Sequence, residues 1–104
     1  MAQLVLSPFD ADAALKSFLA ARTDVGALAS FVGLVRGGAV TMLTLEHYPG
    51  FTERSLNEIE ADARTRFAVL DTLVIHRAGA IAPGEAIVLA AAISAHRKEA
   101  LAAV

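Results

Sequence analysis

Three basic side chains in succession, His96, Arg97 and Lys98, stand inside SAHRKEALAAV, where a strand-like apolar run gives way to a helical pattern. Together they suit an anion. Guanidinium and ammonium groups form charge-assisted hydrogen bonds, a helix start offers unpaired backbone N–H groups, and phosphate is the natural guest. The competing reading is that Arg97 and Lys98 are solvated surface residues, although cations at a helix N-terminus oppose its dipole. Arg36 is the next candidate. It follows the apolar ALASFVGLV and precedes Gly37-Gly38, which let a ligand approach the backbone closely; the alternative is a solvated turn arginine.

A second His-Arg pair, His76-Arg77, ends another strand-like run, and His47 follows Glu46. Strand alternation sends the two members of each pair to opposite faces, so neither pair acts as a unit. Hydrogen-bonded structural histidines are the expectation for His47 and His76. The three histidines lie on separate elements without ligand spacing, so no metal site is expected. No P-loop, dinucleotide fingerprint or nucleophile elbow is present. With no cysteine in the sequence, any sulfur chemistry must draw its sulfur from another molecule.

The elements that position these residues follow from periodicity. A strand is expected over Gln3 to Leu6, then a helix over Ala11 to Ala21 capped by Asp10. Ala27 to Val35 reads as a strand covered on both faces. Arg36-Gly37-Gly38 then turns it into a second strand reaching about Tyr48, as a hairpin. Leu56, Ile59, Ala63 and Phe67 mark an amphipathic helix over Thr52 to Phe67. Thr72 to Arg77 and Ala86 to Ser94 are strands around an Ala82 to Glu85 turn, and Ser94 caps a last helix starting at Ala95. The order β-α-β-β-α-β-β-α predicts an α+β domain on a mixed or mostly antiparallel sheet.

A chain of 104 residues has room for a single domain, 1–104. Its apolar fraction of 56% exceeds that of an ordinary soluble domain, about 45–50% with glycine counted, and predicts a buried subunit interface. The apolar runs are shorter than the ~20 residues of a membrane-spanning helix, and the first residues lack a signal-peptide pattern. No membrane partner is therefore expected, and a cytoplasmic location is. A net charge of −2 speaks against a broad nucleic-acid surface.

Four fragments, FVGLVRG (Phe31 to Gly37), LTLEHYPGFTE (Leu43 to Glu53), VIHRAGAIAPGE (Val74 to Glu85) and ISAHR (Ile93 to Arg97), come in an order and spacing that resembles the large, catalytic subunit of molybdopterin synthase. The resemblance implies an α/β-hammerhead type of α+β fold and a homodimer of large subunits. Each copy would bind one ubiquitin-like sulfur-carrier small subunit, giving a heterotetramer. The implied activity is sulfur transfer from the carrier's thiocarboxylated C-terminus to cyclic pyranopterin monophosphate, forming the dithiolene of molybdopterin, with no cofactor.

The family's substrate-contacting positions match Leu34, Val35 and Arg36, and His96 and Arg97, with Lys98 adding charge. His96 and Arg97 carry the implied catalytic roles, His96 by binding phosphate or moving a proton. The family also has a lysine- and tryptophan-containing tail with two catalytic lysines. Here tryptophan is absent, and Lys16 and Lys98 match neither lysine, so the domain is expected to be C-terminally truncated. The alternative function is a non-catalytic dimer that binds the carrier or a phosphorylated metabolite.

Overall fold

In a computed structural model of the chain, residues 1–38, 42–46 and 50–104 are described, with the side chain of Phe51 outside this set. The expectation for His47 lies outside the described residues. The elements are β1 (Ala2–Val5), α1 (Ala11–Leu19), β2 (Ala27–Leu34), β3 (Leu43–Leu45), α2 (Phe51–Arg66), β4 (Asp71–Arg77), β5 (Gly79–Ile81), β6 (Ala86–Ser94) and α3 (Arg97–Ala103). The expected order is present, with β5 as an additional short strand.

Four strands form one sheet in the order β1-β4-β6-β2, and β3 pairs with β5 in a second. β1 runs parallel to β4, while β4 and β2 flank β6 antiparallel, so the main sheet is mixed and mostly antiparallel. The expected hairpin between the strand ending near Val35 and its successor does not form among the described residues. β2 pairs with β6 from Ala27↔Ser94 to Leu34↔Ala86, and β3 pairs with β5 from Leu43↔Ile81 to Leu45↔Gly79. A glycine pair signals a tight connection but does not select a partner, and here β6 offers β2 eight residues of apolar register. β5 escapes the sequence reading because it is three residues long and begins at a glycine with φ +89°, which reads as a turn.

Helices cover both faces of the main sheet. On one, Leu73, Ile75, Leu89 and Ala91 make a core beneath Ala14, Leu15 and Phe18 of α1, whose start is capped by the Asp10 side chain accepting the Ala13 N–H at 3.1 Å. On the other, Ala63 of α2 and Ala103 of α3 border Val74, Ala90 and Ala92. Small alanines on β6 let α3 approach closely, and Ala100 is fully buried there. The one buried carboxylate of α2, Glu60, is satisfied by the Met1 amine, by the Thr72 hydroxyl at 2.8 Å and by Arg64 at 3.5 Å. No helix among the described residues is long and apolar enough to cross a membrane.

Candidate functional site

β6 ends at Ser94, and the chain turns sharply before α3 begins at Arg97. Ser94 was expected to cap the helix; instead it is the buried last residue of the strand. Its hydroxyl donates to Ala68 O at 3.0 Å and accepts the His96 N–H at 3.3 Å, pinning the turn from below. His96 occupies the N-cap position with extended backbone and no side-chain cap bond. At two turns, α3 has only a modest dipole, so positive charge at this site comes from Arg97 and Lys98 themselves. Glu99 supplies the acidic residue of the first turn.

Gly26 was not singled out from the sequence, where it read as part of a turn. Its N–H donates to Ser94 O at 2.9 Å, and a Cβ placed on it would lie 1.9 Å from the Ala95 carbonyl oxygen. Only glycine allows β2 to begin directly beneath the 95–97 turn. Gly26, Ala95, His96, Arg97 and Lys98 together line an open, mainly polar depression. The turn-forming TDVG stretch, which begins four residues after the end of α1, carries no signal of that contact, because Ala95 is far away in sequence.

Leu34, Val35 and Arg36 are not at this depression. β2 is antiparallel to β6, so Ala27 lies beside Ser94 and Leu34 beside Ala86. At about 3.3 Å per residue the two groups stand roughly 23 Å apart, at opposite ends of β2. Leu34 is 57% exposed and Arg36 is exposed, whereas Val35 is buried at 6%. Both main-chain groups of Val35 are used: its N–H donates to Glu85 O at 3.1 Å, and its carbonyl accepts the Gly84 N–H at 2.8 Å. The cavity beside Leu34, about 390 Å³, is bordered by Asp10, Asp12 and Glu85. Its acidic lining has the wrong sign for a phosphate, in contrast to the basic depression at the other end. The Ala82 N–H, and next the Arg77 guanidinium, hold the Glu85 carboxyl below its usual value.

The ion pairs separate the arginines into two groups. Arg22 pairs with Asp24 and Asp71, Arg64 with Glu60, Arg66 with Asp62 and Arg77 with Glu85. Arg36, Arg54, Arg97, Lys16 and Lys98 form no ion pair among the described residues; of these, Arg97 and Lys98 share one depression. His76 is half-buried, and its Nδ1 lacks the hydrogen bond expected of it. No group of three or more His, Asp or Glu side chains suited to a metal ion occurs among the described residues.

The profile of the MoaE protein family matches residues 4–104. The chain belongs to the MoaE family. A molybdopterin synthase catalytic subunit from Caulobacter vibrioides is 50% identical over 95 residues, covering 89% of this chain and 63% of the relative. The chain thus spans somewhat under two-thirds of that relative's length. Among solved structures, the molybdopterin biosynthesis MoaE protein from Burkholderia ambifaria superposes with a TM-score of 0.87 at 38% identity, over 99% of this chain and 69% of the other. A complex of subunits 1 and 2 of the molybdopterin-converting factor from Helicobacter pylori shares the fold, with a TM-score of 0.82 at 22% identity over 98% of this chain and 70% of that one. The hammerhead-type α+β architecture is therefore that of the MoaE family.

Proposed function

We propose that this chain acts as the catalytic subunit of a cytoplasmic molybdopterin synthase. It holds cyclic pyranopterin monophosphate while two sulfurs are transferred to it, one from the thiocarboxylated C-terminus of each of two successive ubiquitin-like carrier subunits, forming the dithiolene. The carrying observation is the pair of cations Arg97 and Lys98, which line one depression on a MoaE-family fold without a protein counter-charge among the described residues, with Arg36 likewise unpaired at the far end of β2. Phosphate neutralises them, Arg97 and Arg36 by forked hydrogen bonds and Lys98 as a point charge. His96, at the rim of the same depression, binds phosphate or carries a proton as the carrier carboxylate departs. The 104 residues contain no cysteine, so the sulfur arrives on the partner.

The separation of the two groups calls for a second copy. β2 is the longer of the two edge strands of the main sheet among the described residues, eight residues long, without a charged side chain and with Phe31 and Leu34 exposed. An apolar edge of this kind is a template for strand addition. A second copy laid antiparallel along it sets Arg36 of one protomer against His96, Arg97 and Lys98 of its partner, once at each end, and closes a two-fold dimer with two sites. A carrier at each site gives the heterotetramer.

Single-turnover assays with thiocarboxylated carrier and pyranopterin test both statements. With pyranopterin well below the wild-type KM, Arg36→Ala and Arg97→Ala proteins are each expected to lose most of their turnover, while their mixture regains about a quarter of the wild-type rate, because half of the dimers are mixed and each has one intact site. No regain would overturn the shared site. Carrier binding without any dithiolene product from the wild-type chain would replace catalysis by the binding-protein reading.

A further inference from the structure

The proposed reaction leaves one built feature unused, the buried pair of Arg77 and Glu85. Arg77 closes β4 with 4% exposure. Its Nη2 donates to Ala80 O at 2.8 Å, its Nη1 lies 3.1 Å from Glu85 Oε1 as an ion pair without hydrogen-bond geometry, and its Nε–H has no hydrogen-bond partner. Burying a guanidinium with a donor unmatched is costly, and an apolar side chain would fill the same space at less cost. What the guanidinium supplies is a rigid plane that hydrogen-bonds Ala80 O through one nitrogen and sets its charge beside Glu85 through the other.

Those two partners lie on either side of the connection from β5 to β6. The same Glu85 oxygen accepts the Ala82 N–H at 2.7 Å, the Glu85 N–H donates to Ala82 O at 3.1 Å, and Gly84 takes the positive φ of +86° that the tight turn needs. The turn is thereby fastened to the end of β4. Its outer side grips Val35 through both main-chain hydrogen bonds, just after the register irregularity at Gly33/Leu34 releases β2 from regular pairing. Arg36 is the next residue. From Arg77 through Glu85 and Val35 to Arg36, every link is an ion pair, a hydrogen bond or a peptide bond.

We infer that Arg77, acting through Glu85 and the 82–85 turn, is a positioning residue that fixes the direction in which Arg36 leaves the sheet. The inference rests on the reading of Arg36 as a phosphate contact. Arg77→Lys keeps the charge but not the plane. Glu85→Gln keeps an acceptor for the Ala82 N–H but loses the ion pair. In the dimer with its carrier, either variant is expected to raise KM for the pyranopterin roughly tenfold with kcat nearly unchanged, the pattern of lost uniform binding. Faster amide exchange at Val35 and Gly84, with Leu89 and Ile93 still protected, is the accompanying sign of a loosened turn in an intact sheet.

The deciding measurement is a double-mutant cycle with Arg36→Ala. If Arg77 works through Arg36, Arg77→Lys adds nothing to KM once Arg36 is gone. Additive losses, or folded Arg77→Lys and Glu85→Gln proteins with wild-type KM beside a weakened Arg36→Ala, overturn the positioning role alone. An Arg36→Ala protein with unchanged KM overturns the substrate reading itself, and the positioning role with it. Should a single change prevent folding, the paired Arg77→Met/Glu85→Gln variant removes both charges together and is read in the same cycle.

Discussion

The dipeptide His-Arg occurs at the ends of two strands of one sheet, and the two copies have opposite fates. At His76-Arg77 the arginine is buried at the end of β4 and neutralised by Glu85, while the histidine ring is half-buried with its Nδ1 unpaired. At His96-Arg97 both residues are exposed on the turn into α3, with no protein counter-charge for the arginine among the described residues. Residue type is the same; only the surroundings differ. Arg77 continues the parity of Leu73 and Ile75 and is buried on the same face of β4, whereas Arg97 lies beyond the last residue that pairs with a neighbouring strand. The first arginine is tied into the fold, and the second keeps an exposed charge that no described carboxylate neutralises.

Substitutions that treat the pairs alike should therefore give unlike results. Arg77→Ala is expected to cost about 3 kcal/mol in denaturant unfolding, the lower end for a broken buried pair because Glu85 is partly exposed. A loss below about 1 kcal/mol would erase the contrast. On the other side, Gly26→Ala forces a methyl group into the Ala95 carbonyl. Backbone must move, and a loss of about 2 kcal/mol is expected, together with shifted His96 and Arg97 resonances. Wild-type stability there would mean that the turn does not depend on the close approach.

Ser94→Ala removes the hydroxyl that joins Ala68 O to the His96 N–H and is expected to cost about 1 kcal/mol. Its effect should appear at the 95–97 turn and spare β4. Arg97→Ala is expected to leave stability within about 0.5 kcal/mol of wild type while abolishing dithiolene formation. A comparable loss of stability would place Arg97 with Arg77.

The pH dependence sharpens the same contrast. The folded Glu85 carboxyl sits below its usual value, so its contribution to stability is present above the ordinary glutamate range and is lost as pH falls through the lowered folded value. Glu85→Gln should therefore flatten the acid limb of the unfolding curve, measured as midpoint against pH. An unchanged slope would remove Glu85 from the clamp.

Much of the fold was legible because its signals are local. The Asp10 cap, the α2 periodicity and the two long strands β4 and β6 occur within a residue or two of where the pattern sets them. α1 ends at Leu19 instead of Ala21, since Ala20 already leaves helical geometry and Ala21 takes a φ of +61°. The errors concern pairing. Among the described residues no hairpin follows Arg36-Gly37-Gly38, and Ser94 became a buried strand end two residues before the helix cap.

For the site, residue types were legible and neighbours were not. Leu34 to Arg36 and His96 to Lys98 were drawn together from family resemblance, yet within one chain β2 holds them apart. Gly26 and the Arg77–Glu85 pair gain their importance from partners that are distant in sequence or meet through a turn, and no short window contains those contacts.

Composition, periodicity and four ordered fragments were enough to establish the class of fold, the MoaE family and the basic residues available to bind an anion. These depend on side-chain chemistry and repeat length, which each stretch of chain carries by itself. Which arginine is buried, which strand is the edge, and how far Arg36 lies from His96 were decided by the register of β2, β4 and β6. Register is a competition among non-local pairings, settled by how much apolar surface each arrangement buries, and that comparison exists only once the whole sheet has assembled.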